Sequence, residues 1–415
     1  MLSLLVGTAW IVFRRDLLLQ YFYFSELLAL THVFTLGFAT SLMMGVLIRL
    51  APVSLKVGPR SGRLSLVQYG LFLVGTSGMV FHFSWSGWLG MAWATVLVFV
   101  AAVLQAYNFS AIFELAREGD WAARYVSAAL IHLVLAAALG MTVAFNKALD
   151  LGVSLLPGAP LQSVFAHAHL AALGWVTTMI FGFELKLVPT TRGSEKSLPW
   201  RFGLLQGGTL GLAVTLLTPA PHPAPFALMI AIAIAWHAKG TIHAFVTGRA
   251  MEWETAPLVI LVVLAATGLL LALDVPHPES PLRARVQLAY GFTAVYGWIV
   301  LTVTTVAFKL FPMWVWQERF QADFGKKPVP GMKDLASPLL RAVSLVALTA
   351  GVLVTAAAIL SAPAGLLVLG TPLLGLGVLT FVVNFVRVAR WALLPLTYRP
   401  RPEDWAKFRE MFPER

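Results

Sequence analysis

Apolar runs of about 20 residues or more recur from one end of the sequence to the other, long enough to cross bilayer hydrocarbon. No water reaches backbone amides there, so each run must satisfy its own hydrogen bonds as a helix. Twelve such segments are expected: 1–13, 26–53, 66–87, 88–115, 123–145, 163–189, 201–219, 224–247, 254–274, 285–313, 338–360 and 364–392. The first is too short to span alone and could be a truncated start. Its Met-Leu-Ser-Leu opening has neither the basic stretch nor the small-residue cleavage site of a signal peptide. Charged residues make up only 12% of the 415, too few to clothe a soluble protein of this length. The loops are short, so residues 1–415 read as a single all-α polytopic membrane domain. The polar segments are 314–337 and a cytoplasmic tail, 393–415.

The net charge of +11 could suggest a nucleic-acid partner, but its distribution points elsewhere. With both termini inside, the outer loops hold only Arg14, Arg15, Lys147, Arg283 and Arg285, and the other 25 of the 30 Lys and Arg lie on the cytoplasmic side. That is the positive-inside bias of a multi-pass protein of the cell (plasma) membrane. Membrane lipid is the expected partner, with anionic headgroups meeting the basic face; no nucleic acid is expected. The chain has no cysteine, which excludes disulfides, iron–sulfur clusters, covalently attached c-type haem and thiolate copper. A metal would need His or oxygen ligands.

An internal repeat organises the chain. Residues 32–53 and 169–190 agree without gaps at His32/His169, Leu36/Leu173, Gly37/Gly174, Thr40/Thr177, Gly45/Gly182, Leu50/Leu187 and Pro52/Pro189. A third copy, 292–313, keeps Gly297, Trp298, Lys309, Leu310 and Pro312. The copies fall on the second, sixth and tenth segments, four helices apart. This predicts three four-helix arcs around a pseudo-threefold axis.

Twelve helices in three arcs, with histidines near the outer ends of the second and sixth, resemble subunit I of the haem–copper oxidase superfamily. The run HAHLAALGW at 167–175 is similar to the tenth-helix His-x-His run of the cbb3-type oxidases, and the His32 segment resembles the second-helix segment that carries a low-spin haem ligand. The resemblance implies haem b, possible copper, and other respiratory subunits or an external electron donor as partners. It also implies electron transfer or redox chemistry on O2 or NO. The ligand set is nevertheless incomplete. Tyr290 and Phe292 stand at the tenth-helix positions matching His167 and His169, and the seventh segment has no histidine, since His222 lies beyond it. Turnover at an ordinary haem–copper pair is not expected. The alternatives are a haem or gas sensor, an assembly partner of a respiratory complex, or a transporter. Same-orientation repeats of four helices argue against the last.

The candidate ligands are His32, His167, His169 and His82, which share a depth in the outer third of the membrane. Neutral imidazole is a good ligand for haem iron and copper. Each could instead be a buried polar residue bonding across helices. His167 and His169 point about 200° apart on one helix, so they can serve different partners. The simplest expectation is one haem between His32 and His169. A second arrangement moves the oxidase pattern by one arc, so that His32 and His82 face His167 and His169 has no histidine partner. His132, His237 and His243 read as structural, and His277 as solvated. Glu184 either neutralises Lys186 near the inner face or belongs to a proton path, Glu26 is either interfacial or near a haem propionate, and Trp175 and Trp298 read as packing residues.

Overall fold

The computed structural model describes residues 1–85, 87–149, 156–157, 159–187, 195–218, 222–247, 255–361, 364–394, 398 and 400–412. Among these the chain is helical and has no strand. Its long helices are α1 (Leu2–Phe13), α2 (Ser25–Ser54), α3 (Gly62–Ser84), α4 (Trp88–Asn108), α5 (Trp121–Leu149) and α6 (Pro160–Leu187). They continue with α7 (Leu198–Leu217), α8 (Ala224–Val246), α9 (Thr255–Ala272), α10 (Pro281–Asp323), α11 (Pro338–Ser361) and α12 (Ala364–Leu393). A short polar helix, α13 (Pro402–Met411), lies in the tail.

Among the described residues every expected segment is therefore helical, but ten helices, α2–α6 and α8–α12, are long and apolar enough to cross a membrane. At about 1.5 Å per residue, α1 extends about 18 Å, short of the hydrocarbon thickness. α7 has the length, yet Arg201, Gln206 and Thr209 lie buried in it and dilute its apolar character.

The chain divides into two compact units. The smaller comprises Met1–Arg15, Leu301–Ala358 and Pro363–Arg415. In it α1 and the C-terminal part of α10 pack on α12, with Phe311 stacked on Phe385 at 3.9 Å and Phe308 edge-on to Phe381 at 5.0 Å. Asn384 bridges the start of α11 by accepting from the Ser337 amide and donating to the Ser337 carbonyl. The larger unit, Asp16–Val300 with Ile359–Ala362, holds α2 to α9 and the first part of α10. Small residues set its close crossings. A Cβ on Gly75 would lie 2.8 Å from Val98 Cγ2, and one on Gly182 would lie 2.9 Å from Tyr125 Cβ. Such positions let helix backbones approach where lipid supplies no hydrophobic drive.

The three repeat copies share a feature that sequence periodicity did not announce. Each contains an eight-residue π-helix: Val33–Thr40 in α2, Leu170–Thr177 in α6 and Thr293–Val300 in α10. All three begin at the residue after the aligned position held by His32, His169 and Phe292. A π-turn is wider than an α-turn and shifts the rotational phase of whatever follows; it is rare and frequent at functional sites. Side chains follow the wider turn, since Ser41 Oγ and the Thr177 and Thr178 hydroxyls donate to carbonyls five residues back. Pro189, together with residues 188–190 that close the second copy, lies outside the described residues.

Candidate functional site

The π-helices of the second and third copies are cross-linked to their neighbours by matching bonds. Trp175 Nε1 donates to Thr40 Oγ1 at 3.2 Å, and Trp298 Nε1 donates to Thr177 Oγ1 at 2.9 Å. The tryptophans are thus more than packing residues: each satisfies its indole N–H on the preceding copy's threonine. The shared positions, Trp175/Trp298 and Thr40/Thr177, carried that signal in the repeat alignment. The first copy has Phe38 at the tryptophan position and the third has Val300 at the threonine position, so donor and acceptor are missing together.

Above these bonds the histidines sort themselves. His32 ends the first turns of α2, and its Nδ1 donates to the Leu28 carbonyl at 2.7 Å. Its ring stacks against Phe83, with centres 5.0 Å apart, and its centre lies 6.5 Å from that of His167, the two imidazoles inclined by 19°. The Ser25 hydroxyl bonds the Phe83 carbonyl and ties the start of α2 to the end of α3. His167 Nδ1 donates to the Ala136 carbonyl of α5 at 2.8 Å. Gly140, one turn on, makes the room, because a Cβ there would lie 2.7 Å from His167 Cε1.

In both rings the Nδ1 proton goes to a backbone carbonyl, so the neutral imidazole keeps its lone pair on Nε2. Fixing the tautomer from behind in this way is how proteins present histidine to a metal. Two metal–nitrogen bonds of about 2 Å would set the ring centres about 6 Å apart. The observed ring-centre distance is 6.5 Å.

The structure thus brings His167, rather than His169, beside His32. His169 Nδ1 donates to the Phe165 carbonyl at 2.8 Å, and its Nε2 accepts from the Tyr290 hydroxyl at 3.3 Å. His82 is not with the other three. Its ring fills the turn between α3 and α4, where Cβ atoms on Gly87 and Gly90 would lie 2.8 Å and 2.1 Å from ring atoms. Neighbouring helical residues point about 100° apart, and Phe83 takes the direction of His32. Among the described residues no three His, Cys, Asp or Glu side chains converge as a metal cluster. Two imidazoles suffice for an axial haem pair but make a poor copper site.

His132 with Gln206, Glu184 with His237, and Lys186 with Asp120 form three further polar sets. His132 Nε2 pairs with Gln206 Oε1 at 2.8 Å, and Gln206 Nε2 donates to Thr178 Oγ1 at 3.2 Å. A Cβ on Gly174 would lie 2.5 Å from the His132 ring, so that repeat glycine is needed for a close approach. Glu184 meets His237 of α8 rather than Lys186: Nε2 to Oε2 is 2.5 Å, and Phe181 stacks on the His237 ring at 3.6 Å. Lys186 instead pairs with Asp120, just before α5, at 2.5 Å. Burial alone would raise the Asp120 carboxyl, but the Lys186 ammonium and the Ala123 and Ala122 amides outweigh it and hold the group below the usual carboxylate value. His243 and His277 are exposed, and His222 lies 3.5 Å from Asp274 in a solvated pair. Glu26 sits half-buried in the first turn of α2.

No protein-family model matches the chain, and no curated protein sequence matches it.

Proposed function

We propose that this protein is a b-type haem-binding membrane protein built on the subunit I plan of the haem–copper oxidase superfamily, with its haem between α2 and α6. The observation that carries the reading is the His32–His167 pair, near-parallel at 6.5 Å with both Nδ1 protons committed to backbone carbonyls. Three four-helix arcs and twelve spans, α1 and α7 included, belong to the same proposal. Three in-register π-helices and the two Trp–Thr bonds support it.

A bound haem would supply one-electron chemistry. The chain's own work is to hold two imidazoles in one tautomer, to wall one of them with Phe83, and to seat the other against Gly140. A haem held by both His32 and His167 would favour electron transfer over gas chemistry. Respiratory subunits or an external donor are then the natural partners. Copper is less well supported, because His82 lies elsewhere.

The test is the optical spectrum of the purified protein. A Soret band and sharp α band on reduction, unmoved by carbon monoxide, are expected; folded protein purified from cells supplied with excess haem but showing no Soret band would rule the reading out. A large shift with carbon monoxide would instead favour a sensor or gas-reactive site.

The plasma membrane location, with both termini cytoplasmic, rests on the uneven distribution of Lys and Arg. A periplasm-active reporter fused after Arg415 should stay silent. Strong activity from it would reverse the orientation or change the number of spans.

A further inference from the structure

The His32–His167 pair has a structural counterpart one seam further round. Counting from the residue before each π-helix, His32 meets the residue two positions earlier in the next copy, His167. By the same rule His169 meets Tyr290, which stands two positions before Phe292. The two pairs match closely. Ring centres lie 6.5 Å apart at 19° in the first and 6.1 Å apart at 27° in the second. His32 and His169 each tie Nδ1 to the carbonyl four residues back, at 2.7 Å and 2.8 Å. The corresponding residues of the remaining seam are Phe292 and Leu30, which can neither ligate nor hydrogen-bond.

What differs is the facing group. His167 has committed its donor to Ala136 and offers a lone pair, whereas Tyr290 offers an O–H. With Nδ1 protonated, His169 Nε2 is an acceptor, so the Tyr290 hydroxyl donates to it at 3.3 Å. A metal bonded to both atoms needs about 4 Å between them at about 2 Å per bond. The second pair is therefore closed on itself, with its polar atoms already satisfied. Gly268 of α9 leaves space for this, since a Cβ there would lie 3.3 Å from the Tyr290 hydroxyl.

We infer that His169 and Tyr290 form a second, haem-ready seam that the tyrosine hydroxyl keeps shut, so that Tyr290 sets the stoichiometry at one haem per chain. The inference rests on the haem reading above and adds a residue that decides how many haems the fold accepts.

The test counts haem per chain by pyridine haemochrome against protein concentration. The wild type should carry one. Y290H, which gives the second seam the first seam's chemistry, should carry close to two, with a second low-spin electron paramagnetic resonance signal. His169→Ala should keep one haem and the wild-type spectrum, and it serves as the independent measurement should Y290H fail to fold. A wild type with two haems, a folded Y290H with one, or loss of haem in His169→Ala would each overturn the inference alone. A wild type with none would overturn the haem reading and this inference with it.

Discussion

His32→Ala and His167→Ala should each abolish the low-spin spectrum, leaving either a five-coordinate high-spin haem or an empty protein. Each would remove one of the two nitrogens proposed to hold the haem, and no other described histidine stands ready to replace it: His82 is seated in the α3–α4 turn and His169 is engaged by Tyr290. Loss of a hydrogen bond behind a metal ligand typically costs about 10- to 100-fold in affinity, and loss of the ligand itself should exceed that. Gly140→Val should approach the same result without touching a ligand, because its side chain would occupy the space of the His167 ring. Haem occupancy and reduced-minus-oxidised spectra measure all three. Retention of the wild-type spectrum in both histidine variants would show that the pair is not axial, and a spectrum lost only in His169→Ala would return the site to His32 and His169.

His237→Ala should be the most destabilising substitution at the Glu184–His237 pair, by about 3 kcal/mol, the lower end for truncating a large buried ring to alanine. His237 is 3% exposed, bonds Glu184 at 2.5 Å and is stacked by Phe181. The alanine removes the bond, the stacking surface and the volume together, and the cavity adds its own cost. Glu184→Gln keeps an acceptor for the imidazole and should cost much less, about 1 kcal/mol, as for a typical hydrogen bond. Thermal or denaturant unfolding in detergent gives both values. Equal losses in the two variants would mean that the Glu184 carboxylate, not packing against Phe181, holds His237 in place. A His237→Ala protein within about 0.5 kcal/mol of wild type would remove the pair from any account of stability.

How much could be read in advance differs from residue to residue. That His32 and His169 occupy one repeat position was visible in the alignment, as were the shared glycines, threonines and tryptophans. That Trp175 reaches Thr40 and Trp298 reaches Thr177 follows only once the copies are placed side by side. Glu184 sits two residues from Lys186, which made that lysine the obvious neutralising partner. The fold instead brings α8 to Glu184 and the Asp120 loop to Lys186.

The sequence by itself determined the helices, their approximate ends, and the three aligned segments, because these depend on hydropathy summed over about 20 residues and on local backbone needs. It also gave His32, His82, His167 and His169 one expected depth, since depth is read by counting along a helix. Direction around the helix was left to the tertiary structure. Residues 167 and 169 share a depth but point to opposite sides. Which one meets His32 depends on how α6 is rotated, and that rotation is set by its contacts with α5 at Gly140, Gly174 and Gly182. Eight-residue π-helices add a phase shift that a 3.6-residue period does not foresee. Depth is a one-dimensional property of the chain, whereas a ligand pair is a matter of azimuth, and only the packing of helix against helix decides it.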